Sequence, residues 1–66
     1  MRFQLKETVY FMCNNKVTTS QILGMQYFGE ELRYYIELGV EGGIAHYNWS
    51  DEDTIFKTKE DLLKSL

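Results

Sequence analysis

Apolar and polar positions alternate most cleanly in LRYYIEL. There Leu32, Tyr34, Ile36 and Leu38 share one phase, and Arg33, Tyr35 and Glu37 the other. A strand points successive side chains to opposite faces, so the first set is expected to meet a core and the second solvent. In AHYNW, Ala45, Tyr47 and Trp49 alternate with His46 and Asn48, and the same rule aims Tyr47 and Trp49 inward. Two further runs, VYFM and QILGMQYF, are rich in the β-branched and aromatic residues that strands favour. QILGMQYF alternates poorly, and Gly24 in its middle predicts a bulge or sharp bend there. The runs are separated by NNK at 14–16, GEE at 29–31 and EGG at 41–43. Such short Asn- and Gly-bearing pieces read as turns of antiparallel hairpins.

The C-terminal third follows a different pattern. In SDED at 50–53, Ser50 is placed to accept from the amide of Asp53, with acidic side chains in a first turn. No apolar stripe follows, so a single helical turn is expected. TIFK then reads as a short strand. TKED at 58–61 is a second helix start with Thr58 as N-cap, and Leu62, Leu63 and Leu66 follow on one side. A helix of about nine residues is too short to persist alone, so both Leu62 and Leu63 are expected to dock on the strands.

These elements predict a mainly β domain: a small, bent antiparallel barrel of four or five strands over about residues 2–57, closed by a short helix over about 58–66. The 66 residues leave room for one domain only. A chain of this size buries only about 60% of its unfolded surface and often needs a staple. A disulfide within the chain is excluded by the single Cys13, and a metal cluster is disfavoured by the single His46. The aromatic fraction of 15% supplies a core in their place, or an oligomer does.

This order of bent hairpins, helical turn, last strand and appended helix resembles the Src-homology-3-like and Tudor-like barrels. The Tudor-like resemblance implies a barrel whose aromatic rings can cage a methylated cation. The chain holds no proline to complete the Pro-Tyr pair of the Src-homology-3 ligand signature, so it departs from that family where proline-rich peptides would bind. The pattern VYFMCNNKV through YNWSDEDTIFKTKEDLLKSL also resembles small proteins of phages and mobile elements.

Charge and composition narrow the function. The formal net charge is −3, and the seven basic residues stand singly along the chain. Nucleic-acid binding draws on clustered positive charge, so that role is unfavoured, whereas an acidic surface suits a basic protein partner. The start, MRFQLKETVYFMC, lacks the apolar run of a signal peptide, and no stretch approaches the ~20 apolar residues of a membrane span. With a lone cysteine, a reducing, cytoplasmic location is expected.

Catalytic chemistry has few carriers. Cys13 and His46 would form a nucleophile–base pair only if the fold brought them into contact with a third orienting group. Asp51, Glu52 and Asp53 are consecutive, which suits a helix start better than a convergent acid–base pair. They also lack the spaced ligands of a calcium loop. GVEGG at 39–43 is followed by no lysine and no long helix, so it reads as a turn with positive φ at Gly42 or Gly43 rather than a phosphate cradle. The aromatic residues exceed what so small a core can enclose, so some must reach the surface, where they mark protein contacts. The sequence thus points to a non-enzymatic module, without cofactor or metal, that binds a protein partner. Its expected surface comprises Tyr35 as anchor and Tyr47, Trp49, Asp51, Glu52 and Asp53. A self-assembling homo-oligomer is the first alternative. A single-stranded nucleic-acid binder using aromatic stacking is the second.

Overall fold

Asn14 and Asn15, with φ of 51° and 62°, and Gly42 and Gly43, with φ of 60° and 79°, turn the chain sharply at two points. Such left-handed pairs match the twist of antiparallel hairpins, and both lie where Asn and Gly marked turns in the sequence. The computed structural model describes residues 3–66, so Arg2, at the start of the expected barrel, lies outside the described residues. The first hairpin joins β1 (Thr8–Cys13) to β2 (Lys16–Gln21). A three-stranded antiparallel sheet follows, in the order β3 (Gly24–Phe28), β4 (Glu31–Glu41) and β5 (Ile44–Asp51). A 3-10 turn (Glu52–Thr54) and α1 (Lys59–Lys64) complete the fold.

The protein is therefore mainly β, with two antiparallel sheets and one short C-terminal helix. The described strands do not form one continuous closed ladder. The sheets are stitched at two places instead. Between β2 and β3, the Ile22 amide donates to the Glu7 carbonyl at 2.9 Å, while the Leu23 amide donates to the Tyr35 carbonyl at 2.8 Å. Past the 3-10 turn, Tyr10 and Phe56 exchange two main-chain bonds of 2.8 Å, so the chain returns to β1. The segment read as a strand, TIFK, amounts to this one bridge. The run QILGMQYF is likewise two strands meeting at Ile22–Leu23, and Gly24 opens β3 without a bulge. The bulge lies in β4, where the register slips between Glu37 and Gly39. Gly39 has φ of 134°, a conformation open to glycine and strained for other residues.

The core follows the alternation read from LRYYIEL. Tyr34 and Ile36 are buried, joined by Val9 and Phe11 from β1 and by Phe3, Ile22 and Ile55 from the connections. Leu32 and Leu38 pack at its margin. Phe3 meets Tyr34 edge-on, with ring centroids 5.2 Å apart. The Tyr34 hydroxyl is buried without a hydrogen-bond partner among the described residues, which costs stability. Tyr34→Phe should therefore melt at or above the parent temperature, by up to about 1–2 kcal/mol in stability. A clear drop in the melting temperature of that variant would contradict the assignment.

The C-terminal segment departs from expectation in two respects. Ser50 does not cap a helix: it is buried within β5, and its Oγ accepts from Asn48 Nδ2 at 2.9 Å. Asp51 occupies the N-cap position of the 3-10 turn without a side-chain cap, and Thr54 Oγ1 donates to its carbonyl at 2.8 Å. Thr58 does cap α1, accepting from the Asp61 amide at 3.0 Å. Leu62 is buried, but Leu63 is 49% exposed and Leu66 76%. Six helical residues are under two turns, and one leucine is all that this length turns toward β1. Among the described residues no helix is long and apolar enough to cross a membrane.

Candidate functional site

Residues facing each other across antiparallel strands share a face of the sheet. In the three-stranded sheet, Tyr34 faces Ser50 and Ile36 faces Asn48; this is the side that carries the core. On the other side, Gly24, Tyr35 and Trp49 are aligned across all three strands, and Glu37 faces Tyr47. Tyr35 is thus outward, as its phase in β4 predicts. Tyr47 and Trp49 are outward too, contrary to the inward placement read from AHYNW. Their parity is set by pairing with β4, and the core is already filled by Phe3, Phe11, Ile22 and Ile55.

The outward rings form a connected cluster. Tyr35 stacks on Tyr47 with centroids 5.3 Å apart and planes 13° apart. Trp49 lies 4.7 Å from Tyr35 and continues to Phe28 at 5.5 Å. The guanidinium of Arg33 sits 4.9 Å from the Phe28 ring centroid, within the range of a cation–π contact. Its Nη2 bonds Glu31 Oε2 at 3.3 Å. Its Nε lies 3.3 Å from Asp51 Oδ1, within ion-pair distance but not aligned for a hydrogen bond. Exposed pairs of this kind add little to stability. Their effect is to hold Arg33 over the aromatic end of the sheet.

Beside this cluster lies an open groove. It is lined by Glu30 and Glu31 at the β3–β4 turn, by Asp51, Glu52 and Asp53, and by Tyr27 and Leu32, which face each other in the phase of Tyr34. Tyr27 is 65% exposed. The fold has joined two acidic stretches that are twenty residues apart in the chain. Asp51 belongs to the end of β5 rather than to a helical first turn. No family model, curated protein or solved structure gives a significant match to this chain.

Of the six residues named as a contact surface, Tyr35, Tyr47 and Trp49 belong to the ring cluster, and Asp51, Glu52 and Asp53 line the groove. Sequence reasoning missed Phe28, Arg33, Tyr27, Glu30 and Glu31 as members of the site. The outward phase shared by Arg33 and Tyr35 was the available signal for Arg33. Nothing in the order of residues indicated that the GEE turn would meet the SDED segment. Cys13 and His46 border a separate groove at the far end of the sheet, with Leu38 and Val40. Cys13 is half-buried against the core, His46 is exposed, and no hydrogen bond joins them. Among the described residues no group of three or more His, Cys, Asp or Glu is placed to hold a metal ion.

Proposed function

We propose that the protein is a non-enzymatic binding module that contacts a basic protein partner through the outward face of β3–β4–β5. The observation that carries this reading is the Tyr35–Tyr47–Trp49–Phe28 cluster on an outward sheet face, bordered by the carboxylates of two segments. Rings held by their neighbours lose little freedom on binding, and Tyr and Trp are frequent contact hot spots. The carboxylates draw a positively charged partner and set the rate of encounter. They equally oppose the phosphates of a nucleic acid. A small-barrel, Src-homology-3-like reading of the fold belongs to the same proposal. It is supported by the bend at Ile22–Leu23, the 3-10 turn and the return of Phe56 to β1.

The test compares Lys/Arg-rich peptides with acidic ones of equal length by fluorescence anisotropy. The basic set should bind more tightly, and Tyr35→Ala should weaken that binding by about 1–3 kcal/mol while the circular dichroism spectrum is kept. Joint neutralisation of Asp51, Glu52 and Asp53 should mainly slow association and flatten its salt dependence. A Cys13→Ser, His46→Ala double variant should bind as the parent does. Equal affinity for basic and acidic peptides, or a folded double variant that alone loses binding, would overturn the proposal.

A further inference from the structure

Among the described residues no strand pairs with the outer edge of β5. β5 ends the three-stranded sheet, and among the described residues its main-chain ladder runs to β4 alone. Its eight residues, IAHYNWSD, are exposed or half-buried except for Ser50, and alternate ones turn main-chain N–H and C=O groups away from β4. A free edge of that length is a template for another strand, and soluble proteins guard such edges with lysine, proline, a bulge or a covering segment. β5 contains no Lys, Arg or Pro. The bulge of this ladder falls on β4, which leaves β5 regular. The large rings lean away from the edge: the far end of the Trp49 indole lies over Gly24 of β3, and Tyr47 stacks on Tyr35 of β4.

We propose that the protein forms a two-fold dimer by antiparallel pairing of β5 with β5 of a second copy, centred on Asn48. This inference does not rest on the binding-module reading. A second copy fits because the edge is complementary to itself. Residues facing each other across an antiparallel pair share a face and direct their main chain alike, so a two-fold register must be centred on a residue. A centre on Asn48 sets Tyr47 opposite Trp49, His46 opposite Ser50 and Ala45 opposite Asp51. No like charges meet, since the acidic residue of the strand faces alanine. The two Asn48 carboxamides each offer a donor and an acceptor. Residues 45–51 pair, adding roughly six to eight main-chain hydrogen bonds. A centre on Tyr47 pairs as many residues but sets Ser50 opposite Ile44 and brings no carboxamide pair to the axis. Centres further along either way run into the Gly42–Gly43 turn or the 3-10 turn.

Light scattering across a concentration series up to the millimolar range reads the assembly. The mass should rise toward twice the 7.8 kDa of the protomer. Asn48 is exposed, and Asn48→Lys sets two lysines face to face in the dimer alone. It should raise the dimer dissociation constant about fivefold or more; the protomer loses the Asn48–Ser50 hydrogen bond, so its melting temperature falls slightly while its circular dichroism spectrum is kept. Cysteine cross-linking in a Cys13→Ser background reads the register. Facing residues are about 4.5–5.5 Å apart, within disulfide reach, so Asn48→Cys should oxidise to a covalent dimer. His46→Cys should not, because its copies stand about 13 Å apart. Three results would overturn the proposal: a parent that stays monomeric throughout the series, a dimer that Asn48→Lys leaves as tight, or His46→Cys cross-linking as fast as Asn48→Cys.

Discussion

Leu62→Ala should lower the stability of the protein by about 2–5 kcal/mol, whereas Leu63→Ala should stay within about 0.5 kcal/mol of the parent. The contrast is set by one helical step. Leu62 is 2% exposed and Leu63 49% exposed. α1 has six residues, too few to form without packing. Its N-cap bond from the Asp61 amide to Thr58 Oγ1 orders the first turn but contributes only about 1 kcal/mol. Docking of Leu62 near β1 is therefore what holds the helix. A chain of 66 residues commands roughly 3–10 kcal/mol in all, so the loss would be a large part of it. Urea melts of both variants check this. A Leu62→Ala midpoint equal to the parent, or an equal fall for Leu63→Ala, would show that the helix is not docked through that side chain.

Ile55→Ala should cost a similar 2–5 kcal/mol, and Ile55→Val about 0.5–1.5. Ile55 is fully buried in the core cluster, yet its segment has little ladder to hold it. The next residue, Phe56, makes a single bridge to Tyr10. The side chain of Ile55 is thus the main anchor of the chain between the 3-10 turn and α1. Truncation would leave a cavity and free the acidic turn beside it. Amide exchange at Phe56 should accelerate together with the fall in the melt midpoint. Unchanged protection at Phe56 in a destabilised Ile55→Ala variant would place the anchor elsewhere.

The inner phase of LRYYIEL was legible because β4 is buried on one face and solvated on the other, so its alternation carries direct information. AHYNW was not legible in the same way. Alternation defines two faces without naming the inner one, and ring size suggested that Tyr47 and Trp49 were core. In the fold, the partner residues Tyr34 and Ile36 set the parity of β5 and send its rings outward. Leu62 and Leu63 show the same limit on a helix: apolar neighbours in sequence lie about 100° apart on its surface, and the docking angle decides which is buried. SDED read well as one turn of helix, but Ser50 belongs to the preceding strand, because its pairing with Tyr34 takes precedence over a local cap.

Local chemistry alone therefore determined the turns at Asn14–Asn15 and Gly42–Gly43, the cap at Thr58, the strand-rich composition and the outward phase of Tyr35. Each depends on the conformational preference of one residue or on a spacing within one segment. The meeting of Glu30 and Glu31 with Asp51–Asp53, the outward stack of Tyr35, Tyr47 and Trp49, the bulge in β4 and the open edge of β5 were decided by the tertiary structure. Each depends on which segments become neighbours, and that follows from filling one small core from both sheets at once.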